Sequence, residues 1–243
     1  MLLMLICIPF QALSECVILA EPLSGTICWP EETDEQTASF LYRYNLPRAS
    51  GESAMAQGIN AFYAYYLEDA IAFTVPILGE SLEDLSVPSW CDVQGEVTCN
   101  MDTAFSVRMI TTSCMDGETT VIWAGHVFAS SGPKEGLVIS LPYLLGILSE
   151  DENDTWLQDR QTQKADRCVR DLIWETLEKD RDAYHFLPDA TYDLFCDMFY
   201  PEEDFYLDAS GNPVFFVQPG ILTEEEDGVL LFPLSLETIL DEI

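Results

Sequence analysis

Between residues 94 and 145 the chain reads QGEVTC, TAFSVRMITTSC, TTVIWAGHVFAS and GLVISLPYLL, four apolar, β-branched runs separated by turn-forming residues. Runs this short and this rich in Val, Ile, Thr and aromatics favour extended backbone, because branched side chains pack well on a pleated surface. Asp116-Gly117 stands between two of them. Both residue types tolerate the positive φ of a tight two-residue turn, so the dipeptide is a strong hairpin signal. Asn100-Met101-Asp102 and Ser131-Gly132-Pro133 mark the other breaks. The four runs predict a meander of consecutive antiparallel strands.

The flanking segments supply the covering layer. TASFLYRYNLP alternates Phe40, Tyr42 and Tyr44 with Leu41, Arg43 and Asn45 and stops at Pro47, as a strand would. From about Glu52 to Phe73, the residues Met55, Ile59, Phe62, Tyr63, Tyr66, Leu67, Ala70 and Ile71 recur every three or four positions. That spacing predicts an amphipathic helix lying across the sheet, with Ser50 as its cap. A second helix is expected from Asp154 to about Arg181; it holds six of the ten basic residues, interleaved with acids. Asp166 to Arg170 and Glu175 to Lys179 have the favourable acid-first spacing. Its apolar side, Leu157, Cys168, Leu172, Ile173 and Leu177, is thin in the first half. A short helix over 190–199, a hairpin in YPEEDFYLDASGNPVFFVQPG, the strand VLLFPL and a final helix capped by Ser235 complete the chain. Strands grouped before helices, without regular alternation, predict an α+β fold: a largely antiparallel sheet packed against two main helices, in one domain over 22–243.

Charge narrows the partners. The sequence carries 43 acidic and 10 basic residues, a formal charge of −33. Such a surface repels phosphate backbones and anionic headgroups, which argues against nucleic-acid binding, and attracts cationic proteins. A hydrophobic content of 48% excludes disorder. Residues 1–21 are apolar but lack a basic leader, and Glu15 interrupts them; they read as a truncated export signal or anchor, or as a hydrophobic strand. The longest later apolar run, 136–148, contains Pro142 and is too short to span a bilayer.

Chemistry-bearing motifs are scarce. No C-x-x-C pair occurs among the eight cysteines; they read as free, buried thiols, with Cys91 and Cys99 the nearest candidates for a bridge. The nucleophile elbow, H-E-x-x-H, Walker and G-x-G-x-x-G patterns are absent, and His126 and His185 lack metal-ligand partners at helical spacing. No cofactor, metal or catalytic residue is assigned. The acidic clusters at 31–35, 149–154 and 223–228 lack the register of a helix-loop-helix calcium site. Among them the loop residues Glu224, Glu225, Glu226 and Asp227 are the expected partner contact.

One stretch carries a resemblance. Glu203, Asp204, Phe205, Tyr206, Leu207, Gly211, Val214, Phe215, Phe216, Gln218 and Pro219, continued by Phe232-Pro233-Leu234 and Leu236 to Leu240, resemble the carboxy-terminal domain of RsiV-like proteins. The Tyr-containing strand ending at Pro47 and Ile59-Asn60-Ala61-Phe62-Tyr63 are similar to that family's opening, so the likeness spans residues 37–243. It implies a bacterial, extracytoplasmic or cell-surface, non-enzymatic binding or sensor domain that recognises lysozyme or another cationic protein, or an envelope component. The family supplies no catalytic residues. Where members show Gly-Gly-Ala-His, this chain has Trp123-Ala124-Gly125-His126, and no sigma-binding segment is visible in it, so anti-sigma activity is not expected. The alternatives are a carbohydrate-active envelope hydrolase, a calcium-stabilised module and, for location, the cytoplasm.

Overall fold

In the computed structural model, which describes residues 15–82, 89–148 and 155–243, the β-like runs form a five-stranded sheet. β5 (Ser89–Met101), β6 (Ala104–Met115) and β7 (Glu118–Ala129) are the expected meander, antiparallel throughout. At the β6–β7 turn Asp116 and Gly117 take φ of 52° and 83°, the pair of left-handed residues that such a turn demands. β2 (Leu23–Trp29) pairs antiparallel with β3 (Phe40–Leu46), and β3 runs parallel to β5. The parallel pairing follows from the connection: a helical crossover carries the chain back to start β5 in the direction of β3. β1 (Ile18–Leu19) and β4 (Ala49–Ser50) form a separate small ladder.

Of the region read as a leader, residues 1–14 lie outside the described residues, while Val17 is buried. Asn100 clasps it, accepting the Val17 N–H at 3.2 Å and donating to the Val17 carbonyl at 3.0 Å. The packed domain thus begins before residue 22.

Three expectations for residues 50–81 and 136–145 are corrected. GLVISLPYLL adds no fourth strand: Glu135 and Val138 touch the β7 edge in isolated bridges, and α3 (Leu141–Leu144) then closes as one helical turn. Pro142 explains the switch, since it cannot donate to a ladder and suits the first turn of a helix. The crossover helix α1 (Ala54–Asp69) is capped by Ser53, whose hydroxyl accepts the Ala56 N–H at 3.1 Å; Ser50 lies in β4. It also continues past Phe73, through a π-helical turn at Ala70–Thr74, into α2 (Val75–Ser81). In that turn the Val75 N–H bonds to the Ala70 carbonyl, and the widened ladder lets the chain pass Pro76 without a break.

Both faces of the sheet are covered. On one, Val93, Phe105, Val107, Met109 and Phe128 pack against Met55, Ile59 and Tyr63 of α1. On the other, Cys99, Ala104, Val127 and Ala129 meet α4 (Thr155–Lys179), α5 (Tyr192–Met198) and a second sheet of β8 (Phe205–Leu207), β9 (Pro213–Val217) and β10 (Leu230–Pro233). A register shift between Val97 and Cys99 in β5 decides which residues go where. Simple alternation would put both on one face, but the bulge sends Val97 to the α1 core and Cys99 to the opposite one.

The buried row of α4 is Ala165, Val169, Ile173 and Leu177, one straight i, i+4 line. Cys168 and Leu172 are only half-buried and Leu157 is exposed, so the packed side is rotated from the one expected. Asp154 lies outside the described residues. Arg170 donates to the Phe199 carbonyl at 3.1 Å, and Glu175 stands 4.0 Å from Lys179 with both exposed. The hairpin of β8 and β9 forms as expected, as does α6 (Leu236–Glu242), whose cap Ser235 accepts the Thr238 N–H.

The second sheet docks through backbone. The Leu207 N–H donates to Ser106 Oγ at 2.9 Å, and a Cβ on Gly125 would lie 1.6 Å from the Phe205 carbonyl oxygen. Gln218 then fastens the edge of β7: its side-chain amide accepts the Trp123 N–H at 3.0 Å and donates to the Trp123 carbonyl at 2.7 Å, as a neighbouring strand would. Gly125→Ala is therefore expected to cost about 3 kcal/mol or more through the clash, and Gln218→Ala about 2 kcal/mol through two lost, half-buried hydrogen bonds. Urea unfolding of each variant measures both; a loss under about 1 kcal/mol for Gly125→Ala would contradict the close approach.

Candidate functional site

The acidic loop between β9 and β10 has a division of labour that composition hides. Asp227 turns inward, its side chain only 11% exposed, and accepts both the His185 N–H at 2.7 Å and the His185 ring at Nδ1, 2.8 Å away. These bonds hold the Asp227 carboxyl below the usual carboxylate range and raise the His185 imidazole above its ordinary value. The Glu224 N–H donates to the His185 carbonyl, and Leu187 to that of Leu222, so the two segments are zipped together. Glu224, Glu225 and Glu226 remain exposed on the 3₁₀ turn Glu225–Asp227. Glu226 stands 3.6 Å from the same imidazole. The expected contact residues are thus together on one loop bonded to the 185–187 segment, three projecting and one anchoring.

Beside this loop a groove of about 520 Å³ follows the outer edge of β7, lined by Val121, Trp123, Pro219 and Val229, with Glu225 among its walls. A second cavity of about 510 Å³ opens on the other side of the Gln218 clasp, among His126, Lys134, Ser140, Glu202, Glu203 and Asp204. A smaller one of about 350 Å³ shares Glu202 and Glu203 and adds Asp166 and Arg170. Burial is the main cause that pushes Asp204 up to about 6, with the neighbouring Glu203 charge adding to it. Asp166 is likewise pushed up to about 6 by burial and by Glu202, against the opposing pull of Arg170. Carboxyl groups tuned this way can hold or release a proton near neutrality. Sequence reasoning missed this cleft, because Asp166 lies on α4, far along the chain from the EED run.

His126 sits in an aromatic cluster: Tyr63 Oη lies 3.1 Å from its Nδ1, and Phe62 packs edge-on at 4.8 Å. Burial pushes its imidazole down to about 4, so the ring is neutral at physiological pH. Asp34 in the 31–35 cluster accepts the N–H groups of Gln36 and Thr37 and closes a turn; the 149–154 cluster lies outside the described residues. Among the described residues no three His, Cys, Asp or Glu side chains converge as metal ligands. The seven described cysteines are unpaired, and Cys91 and Cys99 face opposite cores. No helix among the described residues is long and apolar enough to cross a membrane.

The raised carboxyls have a pH signature. A folded-state value of about 6 against about 4 in the unfolded chain means that the fold takes up the proton first. Each such group therefore supports the fold below about pH 4 and loses that contribution as pH rises to about 6, beyond which its effect is constant. Asp204→Asn removes the titration. Its melting temperature should climb relative to that of the native chain between pH 4 and 6.5 and then run parallel; a pH-independent difference would contradict the assignment.

No protein-family model matches the sequence, and comparison with curated proteins finds no match. Among solved structures the chain is similar to two proteins of the DUF3298 family. One, from Bacteroides fragilis, is 12% identical with a TM-score of 0.50, covering 93% of this chain and 94% of that one. The other, from Pseudomonas aeruginosa, is 11% identical with a TM-score of 0.50, covering 92% of each. At such identity the likeness is one of fold: the chain shares the α+β architecture of DUF3298 proteins over nearly its whole length.

Proposed function

We propose that this domain is a non-enzymatic recognition module for a cationic protein, of which lysozyme is the type, and that it works outside the cytoplasm or at the cell surface. The observation that carries the reading is the loop of Glu224, Glu225 and Glu226, three exposed carboxylates on a turn pinned by Asp227 to His185. A fixed, projecting cluster loses little conformational freedom on binding and adds to a chain field of −33 that steers a basic partner inward. The resemblance of residues 203–240 to RsiV-like domains supports both partner and location. The unpaired thiols favour the other location, a reducing compartment, where free cysteines are the rule.

A second reading has one observation in its favour. Asp166 and Asp204, both raised to about 6, line adjoining cavities, and a carboxyl raised by burial is what a glycoside hydrolase uses as its general acid. Release of reducing ends from purified peptidoglycan, abolished by Asp204→Asn or Asp166→Asn, would establish that reading and displace the first.

The test of the leading reading is association with a basic lysozyme and with a neutral control protein, followed by biolayer interferometry. Saturable binding to lysozyme alone that survives physiological salt is expected. Glu224→Gln, Glu225→Gln and Glu226→Gln together, with Asp227 retained to keep the loop in place, should slow association about threefold to tenfold at low salt and less at high salt. An unchanged association rate would remove the loop from the interface.

A further inference from the structure

We infer that the outer edge of β7, from Glu118 to Ile122, is a docking strand on which an extended segment of the cationic partner pairs antiparallel, seating an apolar side chain in the groove beside Glu225. This rests on the reading of the domain as a receptor for a basic protein and names the mode of its recognition.

The edge is closed at Trp123 and again toward the end of β7, with Gly125 between them lining the second cavity. Along β7 the odd-numbered residues turn their N–H and C=O groups outward. Those of Trp123 are taken by Gln218, the Val127 carbonyl accepts from Ile139 at 2.7 Å, and Ala129 bonds with Leu137 and Gly136. Thr119 and Val121 lie on the same outward set, and among the described residues no backbone group bonds to them across the groove. An exposed edge is a template for strand addition, which natural proteins usually block. Here the block stops at Trp123, and Gln218 therefore sets where an incoming strand must end.

The surroundings select the occupant. On the face that carries Val121 and Trp123 the groove offers Val121, Pro219 and Val229 to an apolar side chain, and Glu225 stands in the same groove. In an antiparallel pair the residues bonded to Thr119 and Val121 project onto that same face. A segment with an apolar residue there and lysine or arginine at neighbouring positions meets Glu118, Glu224 and Glu225, all exposed. A second copy of this chain is disfavoured, because edge-to-edge pairing would bring two such acidic rims, each on a chain of −33, together.

The experiment uses the full chain and a blocked peptide of alternating lysine and valine, in three forms: unmodified, N-methylated on the valines, and N-methylated on the lysines. Antiparallel pairing with valine in the groove requires the valine N–H groups. The expected result is saturable binding at physiological salt, weakened at least about tenfold by methylation of valine and within about twofold of the parent for methylation of lysine. Amide hydrogen exchange at Thr119 and Val121 should slow about tenfold on saturation. Val121→Pro, which removes one outward donor, should reproduce the loss while keeping the native circular dichroism spectrum. Equal affinity for both methylated peptides, or binding without protection of the two amides, would overturn the docking strand and leave charge-based recognition intact. Register-dependent peptide binding with no affinity for lysozyme would uphold the strand and overturn the lysozyme-like partner. Protection of the same amides with doubling of the mass would assign the edge to a second copy and overturn the inference.

Discussion

The second sheet and the acidic loop are placed by one backbone contact, the seat of β8 on the surface of β6 and β7. Gly125 leaves no side chain between the strands, and Ser106, buried in the sheet, supplies the hydroxyl that receives the Leu207 N–H. Close approach of two backbones is available only where a Cβ is missing and where the polar groups find partners. Once β8 is fixed, β9 follows by pairing, and Gln218 arrives at the β7 edge. The acidic loop and its groove are downstream of that chain of contacts.

Charge is distributed as unevenly as the contacts are. Arg108 is among the few cations drawn inward: its guanidinium lies 4.4 Å from the Trp123 ring and 5.3 Å from that of Tyr206, and pairs with Glu96. Six of the ten basic residues lie on α4 or just beyond its end, interleaved with a like number of acids, and two of them, Lys179 and Arg181, pair with Glu175 and Glu178. Among the described residues the Glu224–Glu226 rim has His185 as its one basic neighbour in an ion pair, through Glu226. A surface arranged this way is attractive to cations at the rim while α4 stays close to neutral, so the field has direction as well as magnitude.

The fold was legible wherever a local rule carried it. Asp116-Gly117 announced its turn, Ser235 its cap, and the alternation of Phe205 to Val217 its hairpin, because each depends on neighbours in sequence. Features set by tertiary contact were not legible. Apolar periodicity could not show that Pro142 would turn a β-like run into a helical turn, or that a π turn would carry α1 past Pro76. The same holds for the site. The acidic loop was visible as a charge run, yet Asp227 acquires its inward role only when His185, distant in sequence, folds against it. Asp166 and Asp204 look like any other acids until burial raises them.

The bulge in β5 decides where this strand can change in length. On its two sides the strand serves opposite cores, and Thr98 is the spare residue that shifts the parity, its hydroxyl resting on Ser106. Pairing Thr98 into the ladder would return the strand to simple alternation and turn Cys99 and Met101 toward the α1 side, whereas deleting Thr98 would make Val97 and Cys99 neighbours and leave each facing its present core. Substitutions on either side need only match volume. In an unbulged strand the loss of one residue sends every side chain beyond it to the other face; here the loss of Thr98 would remove only the kink and the hydroxyl contact with Ser106, so this stretch can shorten by one residue where the rest of the strand cannot.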